Sequence, residues 1–112
     1  MLQSTRTHHD VMATIQKYVD GANGDLDVLK QAYHKAATIN THPIENLFNS
    51  VARNGKTNAT ARLDYLDIHG KAASAKVVIE EWHGYRYVEY LHLLHTADGW
   101  QIVSKVFDEY QD

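Results

Sequence analysis

The apolar residues of this chain change their spacing about half-way along the sequence. In the first half they recur at intervals of three and four positions, which is the period of amphipathic helices. Three such stripes are present: Val11, Ile15, Tyr18 and Val19; Leu26, Leu29, Ala32 and Tyr33; and Ile44, Leu47, Phe48 and Val51. From about residue 60 onward the period is two, which is the period of a strand. The sequence therefore predicts helices first and then a sheet, which is the α+β class.

Turn signals separate the predicted elements. Asp98-Gly99 is the strongest hairpin dipeptide of the chain, and it predicts that the strand over 85–95 folds back onto a last strand over 100–107. Gly70 and Gly84 mark two earlier turns. Four long strands joined by such short turns are expected to pair antiparallel, because parallel pairing would need long crossovers.

Three residues mark the ends of the predicted helices. Gly21 is expected to close the first helix in a left-handed conformation, and Asp25 to cap the start of the second. Pro43 suits the first turn of the third helix, where its missing N–H costs nothing. A brief strand is expected over residues 36–40, between the second and third helices.

Composition limits the range of functions. The 112 residues have room for one domain, residues 1–112, and the net charge of −3 includes no basic block of the kind that nucleic acid needs. The absence of cysteine excludes disulfides and thiol chemistry, and no apolar run is long enough for a membrane span. The eight histidines show no metal-ligating spacing, so neither a metal site nor a cofactor is expected. The expected location is the cytoplasm.

Strand parity predicts which side chains face the helices. If Ala75 and Ile79 face inward, Glu81 does too, and in the next strand Tyr85, Tyr87 and Glu89 share the inward face. Burial raises the pKa of a carboxylate towards the range of a general base, and a nearby tyrosine hydroxyl can stabilise an oxyanion. Glu89 and Tyr87 are therefore the candidate catalytic residues. The ligand pocket is expected to be lined by Tyr18, Tyr33, Glu81, Tyr85 and Trp100.

A structural explanation for Glu89 remains open beside the catalytic one. The carboxylate could be solvated at the edge of the sheet, or it could be paired with Arg86, Arg62 or Lys105. A single β-bulge would also reverse the parity and move Glu89 to the outer face.

The opposite face of the sheet is too apolar for a solvent-exposed surface. An apolar patch of this kind usually marks an interface, and a twofold homodimer is the simplest explanation. The predicted dimer face consists of Val78, Trp82, Val88, Tyr90, His92 and Leu94.

Several segments, in this order, resemble one protein family. They are Tyr18-Val19-Asp20-Gly21, Gly24-Asp25, Ala32-Tyr33-His34, residues 70–75, residues 89–94, and Asp98-Gly99-Trp100 with Ile102 and Lys105. The chain resembles the nuclear-transport-factor-2-like (NTF2-like) superfamily, and within it the "putative lumazine-binding" branch beside the SnoaL-like polyketide cyclases. The resemblance implies a cystatin-like cone of N-terminal helices packed on a curved antiparallel sheet, with a pocket between them, and commonly a homodimer.

Three functions are compatible with these observations. The first is a domain that binds a small hydrophobic or aromatic molecule without transforming it. The second is a proton-transfer enzyme, such as an isomerase, a dehydratase or a polyketide-cyclase-like protein, that uses a pocket carboxylate. The third is a dimerisation module without a ligand. The superfamily contains both enzymes and binding modules on one scaffold, so the resemblance does not choose among them.

Overall fold

The structure is a computed structural model that describes residues 4–110 as three helices and six strands. The helices are α1 (Thr5–Ala22), α2 (Leu26–Ala32) and α3 (Glu45–Asn54). The strands are β1 (Tyr33–Ile39), β2 (His42–Pro43), β3 (Thr60–His69), β4 (Ala72–Trp82), β5 (Tyr85–Thr96) and β6 (Gly99–Glu109). None of the helices in this range is both long and apolar enough to span a bilayer.

The helix ends agree only in part with the sequence predictions. The Asp25 carboxylate accepts a hydrogen bond from the backbone N–H of Val28, so its predicted role as the cap of α2 is confirmed. Gly21 does not close α1 but lies inside it, where any side chain would collide with the backbone of Leu29. The glycine is needed because α2 crosses α1 at very short range. Pro43 lies in the two-residue strand β2, and α3 begins after it.

The six strands form one mixed sheet in the order β2-β1-β6-β5-β4-β3. The four long strands pair antiparallel, as predicted, and the Asp98-Gly99 turn joins β5 to β6 with Gly99 at a positive φ of 94°. The short strand β1 runs parallel to β6, so the sheet is mixed, whereas the sequence predicts an antiparallel one. The parallel pairing is possible because α3 and the rest of the sheet lie between β1 and β6 in the sequence.

The inner face of the sheet packs on the helices. Its buried side chains include Ala75, Val77, Ile79, Leu91 and Leu93, and these are the positions that parity predicts. Together with the apolar stripes of α1 and α2 they form the core, while the open end of the sheet, towards α3, is left less filled.

A register shift near the end of β4 reverses the parity there. The pairing steps from Ile79–Tyr87 to Trp82–Tyr85, and Glu81 has a positive φ of 62°. As a result Trp82 turns to the inner face, where its indole N–H donates to the carbonyl of Ala22 at 2.8 Å. The predictions that Glu81 faces the helices and that Trp82 lies on the outer face are therefore both wrong, because the extra residue shifts the alternation by one.

Candidate functional site

A cavity of about 340 Å³ lies between the inner face of the sheet and the helices α1 and α3. Apolar and aromatic side chains form most of its wall: Ile39, Leu47, Ile79, Trp82, Tyr87 and Phe107. His42 and Asn46 are exposed and Ser50 is half-buried, so these polar residues mark its mouth. Its buried end holds three polar side chains. The cavity is thus apolar along its sides and polar at both ends.

The three polar side chains at the buried end are Tyr18, Glu89 and Lys105, which we call the buried trio. They are only 3%, 2% and 4% exposed, respectively. The Tyr18 hydroxyl donates to Glu89 Oε1 at 2.6 Å, and Lys105 Nζ donates to the Tyr18 hydroxyl at 2.9 Å. Lys105 Nζ also lies 3.5 Å from Glu89 Oε2. Each member of the trio therefore contacts both of the others.

Three elements bring the trio together. Tyr18 continues the apolar stripe of α1, while Glu89 and Lys105 are inward residues of the neighbouring strands β5 and β6. In the β5–β6 register Glu89 is opposite Phe107, and Lys105 is opposite Leu91. Lys105 is therefore the diagonal neighbour of Glu89, within the distance that a long side chain spans across a sheet.

A second β-bulge decides that Lys105 faces the cavity. Between the pairs Leu93–Ile102 and His92–Ser104, β6 advances two residues while β5 advances one. Without this shift, alternation from the buried Ile102 would place Lys105 on the outer face. From the sequence alone, Lys105 is only one of three possible partners of Glu89. A bulge that the sequence does not reveal makes it impossible to predict which side chains of β6 face inward.

Burial and charge shift the pKa values of Tyr18 and Lys105. Burial raises the pKa of Tyr18 well above its ordinary value, and the nearby Glu89 charge raises it further, so the phenol keeps its proton. Burial lowers the pKa of Lys105, while its contacts with Glu89 act in the opposite direction. The cavity thus contains a cation and an anion whose charges cancel, with a neutral phenol between them.

Aromatic rings support the trio from behind. The Tyr33 ring packs edge-on against Tyr18, with centroids 5.6 Å apart, and Phe48 packs against Tyr33 at 6.5 Å. The Tyr33 hydroxyl is buried and has no hydrogen-bond partner among the described residues. Lys105 Nζ lies 4.8 Å from the Tyr18 ring centroid and 5.1 Å from that of Phe107. These contacts fix the rotamers of the trio, since a packed aromatic leaves little room for rearrangement.

The structure brings only some of the predicted site residues to the cavity. Glu89, Tyr18 and Tyr87 line it, whereas Tyr33 is buried one layer behind Tyr18. Tyr87 contacts Trp82 and Phe107 edge-on, and no hydrogen bond joins it to Glu89 among the described residues.

The other predicted site residues lie away from the cavity. Glu81 is exposed, and Tyr85 is 52% exposed with its ring stacked on Tyr87. Trp100 is buried beneath α1, where its carbonyl accepts a hydrogen bond from Thr14. Glu81 is misplaced by parity because β4 is irregular between Ile79 and Trp82. Tyr85 shares the face of Tyr87, as predicted, but lies exposed at the start of β5 and outside the cavity.

The outer face of the sheet carries an exposed apolar patch. Tyr90 and Leu94 of the predicted dimer face are each 44% exposed, and His92 between them is exposed as well. Val88 is half-buried. Val78 is already buried within the chain, and Trp82 lies on the other face, so these two contribute little to the patch. The pairing of Tyr90 with Val106, which is 55% exposed, extends the patch onto β6.

Known proteins share this fold over the whole described chain. The profile of the family described as "Putative lumazine-binding" matches residues 6–108. An NTF2-like protein of unknown function from Methylobacillus flagellatus KT is 28% identical, with a TM-score of 0.89 over 97% of this chain and 96% of that one. An NTF2-like protein of unknown function from Shewanella baltica OS155 is 24% identical, with a TM-score of 0.88 over 100% of both chains.

A more distant structure has the same architecture. A domain of unknown function with a cystatin-like fold from Nostoc punctiforme PCC 73102 is 14% identical, with a TM-score of 0.79 over 98% of this chain and 81% of that one. No curated protein sequence matches this chain significantly. The predicted NTF2-like, cystatin-like fold is therefore confirmed.

Proposed function

Because the chain belongs to the family described as "Putative lumazine-binding", we propose that its cavity binds a small molecule. The observation that carries the proposal is the buried trio at the closed end of an apolar cavity. Ion pairs are costly to bury, and this one is placed beside space that apolar side chains could otherwise fill. A stable fold does not need a buried ion pair beside a cavity, whereas a few polar groups in an apolar pocket are what orients a ligand.

The dimensions and the lining of the cavity support a small, mainly apolar ligand. A volume of about 340 Å³ is near the lower end of the roughly 300–1,000 Å³ that ligand pockets occupy. The walls offer aromatic faces and edges from Trp82, Tyr87 and Phe107. These rings favour an aromatic or hydrophobic molecule that enters past Asn46 and reaches the trio with its polar end.

A substitution at the cavity mouth tests this function. Asn46 is an exposed residue of α3 that lines the cavity, and Asn49 is an exposed residue of the same helix that does not. We expect Asn46→Trp to abolish the binding of fragments found by ligand-observed NMR, because the indole would fill the entrance. Asn49→Trp should leave that binding unchanged. Equal binding by the two variants would refute the assignment of the cavity as the ligand site.

Proton-transfer catalysis is the second candidate function. It is favoured by the 2.6 Å hydrogen bond between Tyr18 and Glu89, which places an acid and a carboxylate side by side at the cavity. We rank it below binding because Glu89 shares its carboxylate with Tyr18 and Lys105, an arrangement that leaves room to accept a ligand hydrogen bond but does not set Glu89 apart as a base. Deuterium exchange at the α-carbon of cyclic ketones, lost in Glu89→Gln, would support catalysis, and its absence from the wild type would exclude it for those substrates.

We also propose that the outer face of the sheet joins two copies of the chain. The exposed apolar patch around Tyr90 and Leu94 is the observation behind this proposal. Sedimentation velocity should give the mass of two chains for the wild type and of one chain for Tyr90→Glu/Leu94→Glu. A monomeric wild type at micromolar concentration would refute it.

A further inference from the structure

We infer that the cavity selects a neutral planar ring that carries an N–H donor next to a C=O acceptor, the polar edge of a cyclic amide. The inference rests on the proposed small-molecule binding and specifies which chemical class the site prefers. It follows from the hydrogen bonds that the trio has left unmade, from its net charge and from the shape of the walls.

The unmade hydrogen bonds consist of a donor and an acceptor side by side. A lysine ammonium has three N–H donors, and Lys105 directs one to Tyr18 and one towards Glu89. Its third donor has no hydrogen-bond acceptor among the described residues, and Nζ lies over the rings of Tyr18 and Phe107. A carboxylate can accept about four hydrogen bonds, and the two contacts of Glu89 leave acceptor capacity on its oxygens. Both side chains line the cavity, so a ligand there meets a donor from Lys105 next to an acceptor from Glu89.

Only certain ligand edges match this pair. A C=O group would accept from Lys105, and an N–H group beside it would donate to Glu89. An amide in a ring holds these two groups on one side, in a fixed cis arrangement, at the spacing of neighbouring atoms. An ether or a ketone would leave the Glu89 acceptor without a partner. A buried polar group that loses water without gaining a partner weakens binding strongly.

The charge balance of the trio favours a neutral ligand. Glu89 and Lys105 neutralise each other at 3.5 Å. The other walls near the trio are apolar or aromatic except for the uncharged Asn40, whose amide is already hydrogen-bonded to the backbone of Phe107. A carboxylate ligand would approach Lys105 but would bring a second anion against Glu89 in a region of low dielectric. A cationic ligand would be repelled by Lys105 in the same way. A ligand without net charge avoids both penalties.

The walls favour a flat molecule. Trp82, Tyr87 and Phe107 form a continuous aromatic surface, with Tyr87 edge-on to Trp82 at 6.0 Å and to Phe107 at 5.2 Å. A planar ring can stack on or pack edge-on against this surface while its amide edge points to the trio.

A series of matched bicyclic compounds tests the inference on the wild-type protein. 2-Quinolinone carries the amide edge, and 4-methyl-2-quinolinone keeps that edge while adding a methyl group elsewhere. 1-Methyl-2-quinolinone carries the methyl on nitrogen and loses the donor, and 2-naphthoate is the anionic analogue. Isothermal titration calorimetry should show binding of the two compounds that keep the N–H. It should show at least about tenfold weaker binding of the N-methyl compound and of 2-naphthoate, as expected for loss of a hydrogen bond to a charged group.

A variant pair tests the assigned roles. In Glu89→Gln the negative charge is lost while the size is kept, so 2-naphthoate should bind more tightly than to the wild type, and the penalty for N-methylation should shrink to less than about threefold. Glu80→Gln is the matched control, because Glu80 is a half-buried residue of the neighbouring strand that does not line the cavity. It should preserve the wild-type order of affinities.

The outcomes separate this inference from the proposed function. If all four compounds bind with similar affinity, and Asn46→Trp abolishes that binding, the cavity is a ligand site but the preference for an amide edge is refuted. If 2-naphthoate binds best to the wild type, the charge argument is wrong. If none of the four binds at millimolar concentration, the inference is refuted, and the proposed function is decided separately by the fragments whose binding Asn46→Trp should abolish. The wild-type series keeps the test decisive even if Glu89→Gln fails to fold.

Discussion

Replacing Glu89 by glutamine removes the charge that compensates the buried Lys105. The two charged groups are 3.5 Å apart, and at an effective dielectric constant of about 20 their attraction amounts to about 5 kcal/mol. The loss is limited, because Lys105 can release its proton instead. From its ordinary pKa of 10.5, that release costs about 1.4 kcal/mol per pH unit, or roughly 5 kcal/mol at about pH 7. We therefore expect Glu89→Gln to lower the free energy of unfolding by about 3–5 kcal/mol near pH 7.

The pH dependence of this loss identifies its cause. A lysine whose pKa is lowered in the folded state binds fewer protons there than in the unfolded chain. Stability therefore rises with pH between the lowered value and 10.5. Glu89→Gln lowers the pKa of Lys105 further, so the variant should regain part of the lost stability relative to the wild type as the pH rises from about 7 to about 9.5. The measured pH range ends below 10.0. Above that pH the raised pKa values of Tyr18 and Tyr33 make the free energy of unfolding fall as the pH rises.

Urea denaturation followed by circular dichroism measures these free energies. The double variant Glu89→Gln/Lys105→Met removes both charges, and it should recover most of the stability lost near pH 7, because an apolar replacement of a buried pair is often neutral. Glu80→Gln should change the free energy of unfolding by less than about 0.5 kcal/mol. A loss below about 1 kcal/mol in Glu89→Gln that does not vary with pH would show that Glu89 does not compensate Lys105.

Two further substitutions test the packing around the site. Tyr18→Phe removes the hydroxyl that bridges the ion pair and should lower the free energy of unfolding, measured in urea, by about 1.5–3 kcal/mol. The control Tyr85→Phe alters a half-exposed ring and should change that free energy by less than about 0.5 kcal/mol. Equal effects of the two substitutions would contradict the hydrogen-bonded role of Tyr18. Gly21→Ala forces a methyl group against the backbone of Leu29 and should lower the free energy of unfolding by at least about 1–3 kcal/mol, seen as a lower melting temperature. A more stable variant would show that α1 and α2 do not cross so closely.

The sequence was sufficient for the architecture because the architecture depends on periodicity. The apolar stripe of α1, the capping carboxylate of Asp25 and the hairpin at Asp98-Gly99 are each local signals, and the structure confirms all three. The inward row of β4 from Ala73 to Ile79 follows from the same rule of alternation.

The site could be predicted less completely, because β-bulges determine which side chains of β4 and β6 face the cavity. Glu89 faces the cavity in agreement with parity, since its strand is regular between residues 87 and 92. Glu81 and Trp82 exchange faces at one irregularity, and Lys105 turns inward at another. A bulge inserts one residue without a reliable sequence signal, so every parity prediction beyond it is reversed. The close approach of Tyr18 to Glu89 joins residues 71 positions apart, which no local pattern records.

The most direct test of the account is whether a small molecule with an amide edge binds beside Trp82. The two indole N–H signals in a ¹⁵N-resolved NMR spectrum distinguish the cavity from the rest of the core, since Trp82 lines the cavity and Trp100 is buried beneath α1 outside it. Titration with 2-quinolinone should shift the Trp82 signal in a saturable manner and leave that of Trp100 unchanged, and Asn46→Trp should abolish the shift. A Trp82 signal that stays fixed up to the solubility limit of the compound would contradict the account.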